Sequence, residues 1–514
     1  MSKPEVEQRP RRGSSTLLRA LLAGIVAFTT IDAAPMTAQE TPLEANGFER
    51  LTSHSELVSF LESLAESSDR ISVHTLGSSV EGRRIPYLKV STGPFGADRE
   101  HRLVALLFAQ QHGNEPSGKE AMLALARDLA VGEYDEPLRS VDLLMVPQVN
   151  PDGAERHERQ NALGQDLNRS HLILDAPEVG LLRELFHRWN PEVTVDLHEY
   201  SPWSGSWLER GWLRLFDEQI GLPTNLNTRP AVRRLAEEGF LSFAVDFLEE
   251  RGFTAHNYLI GTPEGIRYST TNVNDGRQGF AILNSLSFIY EGRRGRTPAE
   301  DIERRARGQH LAMEALLRFL AFHHEEVLGT VRSARREVTD GKVEEIVLTM
   351  SRESSGGSLR IPVEEVRRDG ESWIVGDTVV AEIEEYRPLV APRRTIPLPR
   401  AYVIPASHPG LQDLLARHGV SATELEEGEE LRAQRIVVEG FVTETLEGTV
   451  TLPEVHTEEI LFRARPGDLM IPTAQPAGLL VATALDPESM HSLYQYDAFR
   501  DLLEPGPFPV LRVP

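Results

Sequence analysis

The chain has 514 residues, of which 40% are hydrophobic, 26% charged and 7% aromatic. This composition is typical of a folded globular protein with room for more than one unit. The formal net charge of −24 disfavours a nucleic acid or an anionic membrane as partner, because both attract Lys and Arg. Cysteine is absent, so disulfides and thiolate metal sites are excluded, and any metal ligands must be His, Asp or Glu.

The first residues have the pattern of a secretory signal peptide at 1–38, cleaved after Ala38. Basic residues precede an apolar stretch at 17–28, and small residues follow it. We therefore expect an exported protein, periplasmic or secreted, with no membrane span in the mature chain. An uncleaved N-terminal anchor is the alternative, and Arg11-Arg12 leaves the twin-arginine route open beside the Sec route.

The next three hundred residues or so have the alternation typical of an α/β fold. A helical pattern and two strands come first, then four apolar runs of strand length that each end in polar residues. Apolar strands of this kind predict a sheet covered on both faces, with ligands at the carboxyl ends of the strands. The predicted helices are 56–67, 119–130 and 299–323, the two early strands lie within 70–90, and the apolar runs are 103–109, 141–149, 193–197 and 285–290.

From Gly329 onward the sequence changes to short β-branched runs, which predict a β-rich tail. A proline-rich segment at 388–399 predicts a division of this tail. The first module is expected at 330–395, and an α+β module with a helix at 411–418 is expected at 396–514. The tail offers no pattern that predicts its chemistry.

Three residues predict a metal site. His112 and Glu115 lie on a loop after an apolar strand, with two residues between them, so both can reach one cation from the same side. His198 ends another apolar strand at the same expected edge of the sheet. Three such ligands suit one Zn²⁺ ion and leave a fourth position open, which is the arrangement of a catalytic site.

Other polar residues predict what such a metal site would do. Glu291 follows an apolar strand and is the candidate base that accepts a proton from water. A loop in this acidic chain carries Arg159, Asn168 and Arg169. Arg169 with Asn168 could hold the C-terminal carboxylate of a peptide, while Arg159 polarises the scissile carbonyl.

Together, His112-x-x-Glu115, Asn150-Pro151-Asp152-Gly153, the run from Arg159 to Arg169, Asp196-Leu197-His198 and Tyr290-Glu291 resemble the zinc carboxypeptidase family. The resemblance covers residues 45–325, which we take as the catalytic domain. It implies a mixed eight-stranded sheet with helices on both faces, followed here by smaller β-rich C-terminal modules. It also implies a peptidase that removes C-terminal residues from peptides or proteins.

The resemblance carries roles to individual residues. The zinc ligands are His112, Glu115 and His198, the base is Glu291, the oxyanion is stabilised by Arg159, and the substrate carboxylate is held by Asn168 and Arg169. Asp166 would orient His112, and Tyr268 would be the substrate-capping tyrosine. Two departures are Glu199, where a small residue is usual, and the poorly matching segment 223–279. Within that segment, Asp275 is a candidate pocket residue that would favour Lys or Arg at the substrate C-terminus.

Two other functions stay open at this stage. A deacylase or cell-wall amidase of the same family would use the same zinc on a different amide, although such relatives typically lack the full Arg and Asn clamp. A zinc-binding pseudoenzyme would act as a binding module through its β-rich tail. The presence of the candidate base together with the Arg and Asn clamp favours the carboxypeptidase.

Overall fold

An eight-stranded mixed sheet lies at the centre of the structure, a computed structural model that describes residues 39–203, 205–370 and 372–514. The predicted signal peptide at 1–38 lies outside the described residues. The strands are β1 (Ile71–Ser78), β2 (Arg84–Val90), β3 (Leu103–Ala109), β4 (Val141–Val146), β5 (Val193–Tyr200), β6 (Trp212–Arg214), β7 (Glu218–Gly221), β8 (Ala255–Asn257), β9 (Leu259–Thr262), β10 (Gly265–Tyr268), β11 (Leu286–Arg293), β12 (Glu345–Glu353), β13 (Leu359–Asp369), β14 (Ser372–Ile383), β15 (Glu385–Arg387), β16 (Leu389–Pro397), β17 (Ala401–Ile404), β18 (Thr423–Glu424), β19 (Glu430–Thr445), β20 (Thr449–Arg463), β21 (Leu469–Pro472), β22 (Gly506–Pro507) and β23 (Leu511–Val513).

The helices pack around this sheet. A π-helical segment at Leu235–Leu241 joins two of them, and short 3₁₀ turns occur at Pro137–Arg139, Leu167–Arg169, Leu493–Gln495 and Arg500–Leu502. None of the helices in the described ranges is long and apolar enough to cross a membrane. They are α1 (Pro42–Ala45), α2 (His54–Ser67), α3 (Ser117–Val131), α4 (Pro151–Arg156), α5 (Pro177–Trp189), α6 (Gly205–Arg210), α7 (Pro230–Arg234), α8 (Ser242–Glu249), α9 (Gly276–Ala281), α10 (Ile302–Thr339), α11 (Pro409–Arg417) and α12 (Gly478–Leu485).

The strand order of the central sheet is β1-β2-β4-β3-β5-β11-β7-β8. The four central strands β4, β3, β5 and β11 are parallel, whereas β1, β2 and β7 join antiparallel. The predicted α/β fold with a mixed eight-stranded sheet is therefore confirmed.

Burial on both faces explains why the central strands are apolar throughout. In β3, Leu103, Ala105 and Leu107 belong to one hydrophobic core with α2, α3 and α10. The alternate residues Val104, Leu106 and Phe108 belong to a second core with α5 and α9. Successive side chains of a strand point to opposite faces, so a sheet between two helical layers requires both sets to be hydrophobic.

Strands β5 and β11 are longer than the apolar runs that predicted them. The apolar runs at 193–197 and 285–290 continue as strand to Tyr200 and Arg293. The two strands pair in parallel, and His198 lies directly opposite Glu291 in the register. Backbone pairing thus places the third predicted metal ligand beside the predicted base.

The helix expected to end at His323 extends to Thr339. His323 itself has non-helical angles, φ −115° and ψ 15°, yet the chain resumes the helix beyond it. Buried Val327, Leu328 and Val331 continue the apolar face that packs on the sheet. The predicted boundary between residues 325 and 330 therefore falls inside α10.

The C-terminal region is β-rich, as predicted. The proline-rich segment that was expected to divide it instead forms β16, which pairs with β12 in a two-stranded sheet. Proline is tolerated there because both strands of such a sheet are edge strands. Apolar residues of the tail, including Ile346, Tyr402 and Leu414, join the second core of the central sheet, and the structure after residue 38 forms one compact unit. The division into modules at 330–395 and 396–514 stays a prediction from sequence.

Candidate functional site

His112, Glu115 and His198 converge at the carboxyl ends of β3 and β5. Each offers one ligand atom, and these atoms lie within 4.8 Å of one another. His198 Nδ1 is 3.0 Å from His112 Nδ1 and 2.9 Å from Glu115 Oε2, and His112 Nδ1 is 3.0 Å from Glu115 Oε1. All three side chains are buried. Two imidazole nitrogens and a carboxylate facing one point form a donor set that suits a tetrahedral zinc with an open position.

The outer nitrogens of both imidazoles face carboxylates. His112 Nε2 is 3.0 Å from Asp166 Oδ1, as expected for a residue that orients this ligand. His198 Nε2 is 2.7 Å from Asp196 Oδ1, a contact that the sequence did not predict although Asp196 lies in the quoted motif. A carboxylate on the outer nitrogen leaves the inner nitrogen free for a metal and increases its basicity. The residues therefore fit a bound divalent cation.

Gly113 holds the loop of His112 against the Asn150-Pro151-Asp152-Gly153 motif. A Cβ on Gly113 would lie 2.1 Å from the Gly153 carbonyl carbon, so only glycine allows this approach. Asn150 caps α4 by accepting from Gly153 N at 2.9 Å and donates through Nδ2 to Gln111 O at 3.0 Å. The two motifs thus position the metal-binding loop together.

Glu291 is buried, with 6% of its surface exposed. Burial raises the pKa of its carboxyl to about 7, with His198 and the Tyr258 hydroxyl lowering it and Glu115 raising it. A general base works best when its pKa is near the operating pH. The position and environment of Glu291 therefore suit the predicted role of base.

Arg159 lines the cavity next to Glu115 and Asp166. Its Nε donates to Asp166 Oδ2 at 3.0 Å, and its Nη1 lies 3.4 Å from Glu115 Oε1. Asp166 therefore orients His112 with one oxygen and Arg159 with the other. The side chain of Arg159 is 37% exposed, which leaves its guanidinium accessible to a ligand.

Asn168 and Arg169 line the same cavity of about 470 Å³ as His112 and Glu115. Asn168 Oδ1 accepts from Gly276 N at 2.7 Å, and Arg169 Nη1 donates to Asn168 O at 2.6 Å. These contacts fix the turn that carries both residues. The bond to Asn168 O orients the guanidinium of Arg169. Because Arg169 is exposed, its other N–H groups can still pair with an anion.

Asp275 also lines the cavity, but both of its oxygens are engaged. Oδ1 accepts from Gln278 N at 2.6 Å and caps α9, and Oδ2 accepts from Arg277 Nη2 at 2.9 Å. A preference for Lys or Arg would need a carboxylate free to pair with the substrate. The structure offers no such free carboxylate at Asp275, so the basis of that prediction is lost.

Tyr268, the predicted capping tyrosine, is not among the residues that line this cavity. It lies on β10, where its ring packs edge-on against Tyr386 and their hydroxyls hydrogen-bond. Tyr258 lines the cavity instead, and the pKa of its hydroxyl is raised by burial and by the adjacent Glu291. The prediction of Tyr268 rests only on its distance along the sequence from Glu291, because segment 223–279 has no motif that fixes the alignment of its tyrosines.

Comparison with known proteins agrees with the geometry. The sequence profile of a family described as "Zinc carboxypeptidase" matches residues 57–206. The chain is 27% identical over 457 residues to "Carboxypeptidase 2" of Trichophyton tonsurans, covering 85% of this chain and 82% of the relative. It is 35% identical over 134 residues to "Carboxypeptidase D" of Rattus norvegicus, covering 23% of this chain and 10% of the relative.

Solved structures include a metallo-carboxypeptidase from Pseudomonas aeruginosa in complex with (2-guanidinoethylmercapto)succinic acid. It has a TM-score of 0.42 and 22% identity, covering 55% of this chain and 71% of that one. A metallo-carboxypeptidase from Burkholderia cenocepacia has a TM-score of 0.41 and 19% identity, covering 53% and 70%. Residues 57–206 match the zinc carboxypeptidase family, and the relatives and the residues gathered in the cavity agree with that match.

Proposed function

We propose that this chain is an exported, zinc-dependent metallocarboxypeptidase that hydrolyses the C-terminal peptide bond of peptides. One observation carries the proposal. A single cavity of about 470 Å³ brings together a candidate metal site, a buried carboxyl with a raised pKa, and arginines placed to bind anions. The metal ligands would be His112, Glu115 and His198, the base Glu291, the oxyanion stabiliser Arg159, and the carboxylate clamp Asn168 with Arg169.

The buried carboxyl of Glu291 would move the protons of the reaction. When bound, a zinc ion would polarise the scissile carbonyl and lower the pKa of a water molecule at its open position. Glu291 accepts the proton of the attacking water and passes it to the leaving amine. Arg159 donates to the carbonyl oxygen as negative charge develops on it, and Tyr258, which lines the cavity beside Glu291, can contact the substrate.

The arginine clamp distinguishes a carboxypeptidase from a deacylase or cell-wall amidase. Arg169 and Asn168 line the cavity together with Arg159, and they provide donors by which a free α-carboxylate can be held bidentately. An interaction with a charged group contributes about 1.5–3 kcal/mol. A substrate that lacks the carboxylate loses this contribution, so a free C-terminus next to the scissile bond is preferred.

The preference for a free C-terminus is tested with an N-blocked dipeptide and its C-terminal amide. We expect hydrolysis of the acid, loss of activity with a chelator, and recovery with zinc. The amide should react at least about tenfold more slowly, following the energy above. Equal rates would favour the deacylase or amidase.

The role of Glu291 is tested with Glu291→Gln, which keeps the shape of the side chain and removes its basicity. We expect kcat to fall by about 10²- to 10⁴-fold while the bound zinc, measured by metal analysis, is unchanged. Wild-type protein that binds zinc but hydrolyses none of a panel of blocked dipeptides would instead support the pseudoenzyme.

Export is supported by the sequence pattern at 1–38 and is tested by N-terminal sequencing of the mature protein.

A further inference from the structure

The long hairpin β19–β20 carries a buried acid at its tip. Glu447 lies in the turn between the two strands, and its side chain is only 9% exposed. Its Oε2 accepts from the Thr271 backbone N–H at 2.8 Å and from the Thr271 hydroxyl. Its Oε1 lies 2.8 Å from Arg267 Nη1 and accepts from Arg352 Nη2 at 3.0 Å. One carboxylate therefore joins the hairpin to two other segments of the chain, residues 267–271 and strand β12.

The first of these segments forms part of the cavity. Arg267 lines the cavity, and so do Thr270 and Asn272 on either side of Thr271. Strand β12 reinforces the same wall, since Arg352 Nη2 also donates to Ser269 O at 3.0 Å. The wall at 267–272 is thus fixed by side chains that come from the C-terminal region.

The charges at this point would not balance without Glu447. Both guanidinium groups contact Glu447 Oε1, and burial together with the charge of Arg267 lowers the pKa of Arg352 to about 10, against the effect of Glu447. Arg352 is 7% exposed. Two poorly solvated cations without a counter-ion repel one another and cost free energy. Arg267, at the cavity surface, is the one that can move away.

We propose that Glu447 is a positioning residue, by which the C-terminal hairpin fixes the cavity wall at 267–272 and neutralises the arginines behind it. The proposal rests on the proposed function for what the cavity binds. It gives the C-terminal region a role in substrate binding, in which it completes the wall next to the clamp and controls the charge that a C-terminal side chain meets.

The first test measures the wall itself and needs no activity. In Glu447→Gln, backbone amides of 267–275 should exchange hydrogen at least about tenfold faster than in wild type, since an acceptor and two ion pairs are lost. Glu444→Gln is the matched control, because Glu444 lies on the same hairpin and makes no ion pair within the described ranges. Wild-type exchange in Glu447→Gln, or equal acceleration in the control, would overturn the proposal.

The second test measures substrate binding. With N-blocked dipeptides ending in Leu, Glu or Lys, Glu447→Gln should raise KM by about tenfold and alter kcat less, as expected for a displaced binding wall. The released charge of Arg267 should increase the preference for Glu over Lys relative to wild type. An unchanged preference with unchanged KM contradicts the proposal, whereas an inactive wild type refutes the proposed function and leaves the exchange result to decide this one.

A milder variant covers the case in which Glu447→Gln does not fold. Thr271→Val removes the hydroxyl, which bonds Glu447 and lies 3.1 Å from His491 Nε2, and retains the backbone N–H that donates to Glu447. We expect a smaller acceleration of exchange confined to the same residues. Exchange that stays at the wild-type rate in this variant would contradict a fixing role for the contact.

Discussion

Glu199 and Arg305 form a buried ion pair beside the metal-binding residues. Arg305 Nε and Nη2 donate to Glu199 Oε1 at 2.9 and 2.7 Å, and the two side chains are 5% and 0% exposed. Glu199 directly follows His198, at a position where the family usually has a small residue. Its partner comes from α10, more than a hundred positions along the chain. The pair explains how a second acid can lie next to Glu115 without leaving an uncompensated charge.

Replacing Arg305 with Met should therefore destabilise the fold strongly. Removing one partner of a buried pair costs about 3–5 kcal/mol, because the remaining charge stays buried and unpaired. Urea unfolding at neutral pH measures this loss. Arg304→Met is the matched control on the adjacent position, since Arg304 pairs with Asp217 at the surface and is 54% exposed. A surface pair contributes at most about 1 kcal/mol. Equal decreases in the free energy of unfolding of the two variants would therefore show that the buried Glu199–Arg305 pair stabilises the fold no more than a surface pair does.

The pH dependence of hydrolysis should report Glu291. Burial raises the pKa of this carboxyl from 4.5 to about 7, and only the carboxylate can accept a proton. kcat/KM should therefore be low at pH values below the pKa of Glu291, where the carboxyl is protonated, and should rise as the pH passes through that pKa. A bound cation favours the carboxylate form. The midpoint of this rise, the acidic limb of the pH profile, should therefore lie between pH 4.5 and about 7 in the zinc-loaded enzyme.

Tyr258→Phe provides the control for that assignment. The Tyr258 hydroxyl lowers the pKa of Glu291, so its removal should move the acidic limb to higher pH. Tyr268→Phe alters a hydroxyl that bonds Tyr386 outside the cavity and should leave the limb in place. A limb that moves equally in both variants would mean that another group controls it.

Asp166 should control metal affinity. Its carboxylate contacts the outer nitrogen of His112 at 3.0 Å and accepts from Arg159 Nε at 3.0 Å. Asp166→Asn weakens the contact that orients the imidazole and should reduce zinc affinity by about ten- to a hundredfold. Competition with a chromophoric chelator measures the change. Asp135→Asn is a suitable control, because Asp135 pairs with Arg70 away from the cavity, and an equal effect there would remove the special role of Asp166.

The convergence of the candidate metal ligands and the candidate base could be predicted because His112, His198 and Glu291 each follow an apolar run. A buried parallel strand is recognisable from sequence, and the polar residues at the carboxyl ends of such strands meet at one edge of the sheet. His112, His198 and Glu291 obey this rule. The contacts among these side chains depend on the backbone register, which is set by the parallel pairing of β3, β5 and β11.

The wall of the cavity could not be predicted in the same way. Tyr258 lies between the short strands β8 and β9, and Arg267 lies on β10, all in the segment 223–279, which has neither a long apolar period nor a motif. The position of Arg267 depends on distant partners, namely Glu447 in the C-terminal hairpin and the pairing of β10 with β15. Pairing between segments so far apart in sequence leaves no local pattern, so the sequence does not show which tyrosine of this segment lines the cavity.

Asp275→Ala should leave the choice between C-terminal Lys and Leu substrates unchanged within about twofold. The carboxylate is already paired with Arg277 and the N-terminus of α9, so it contributes no free charge that a Lys side chain could meet. The substitution should instead cost stability, by about 1 kcal/mol for the lost cap and more for the unpaired Arg277. Asp275→Asn, which can retain the cap, separates these two losses in urea unfolding. A tenfold fall in the Lys to Leu ratio of kcat/KM in either variant would mean that the carboxylate turns toward the substrate on binding, and the predicted preference for basic residues would then be restored.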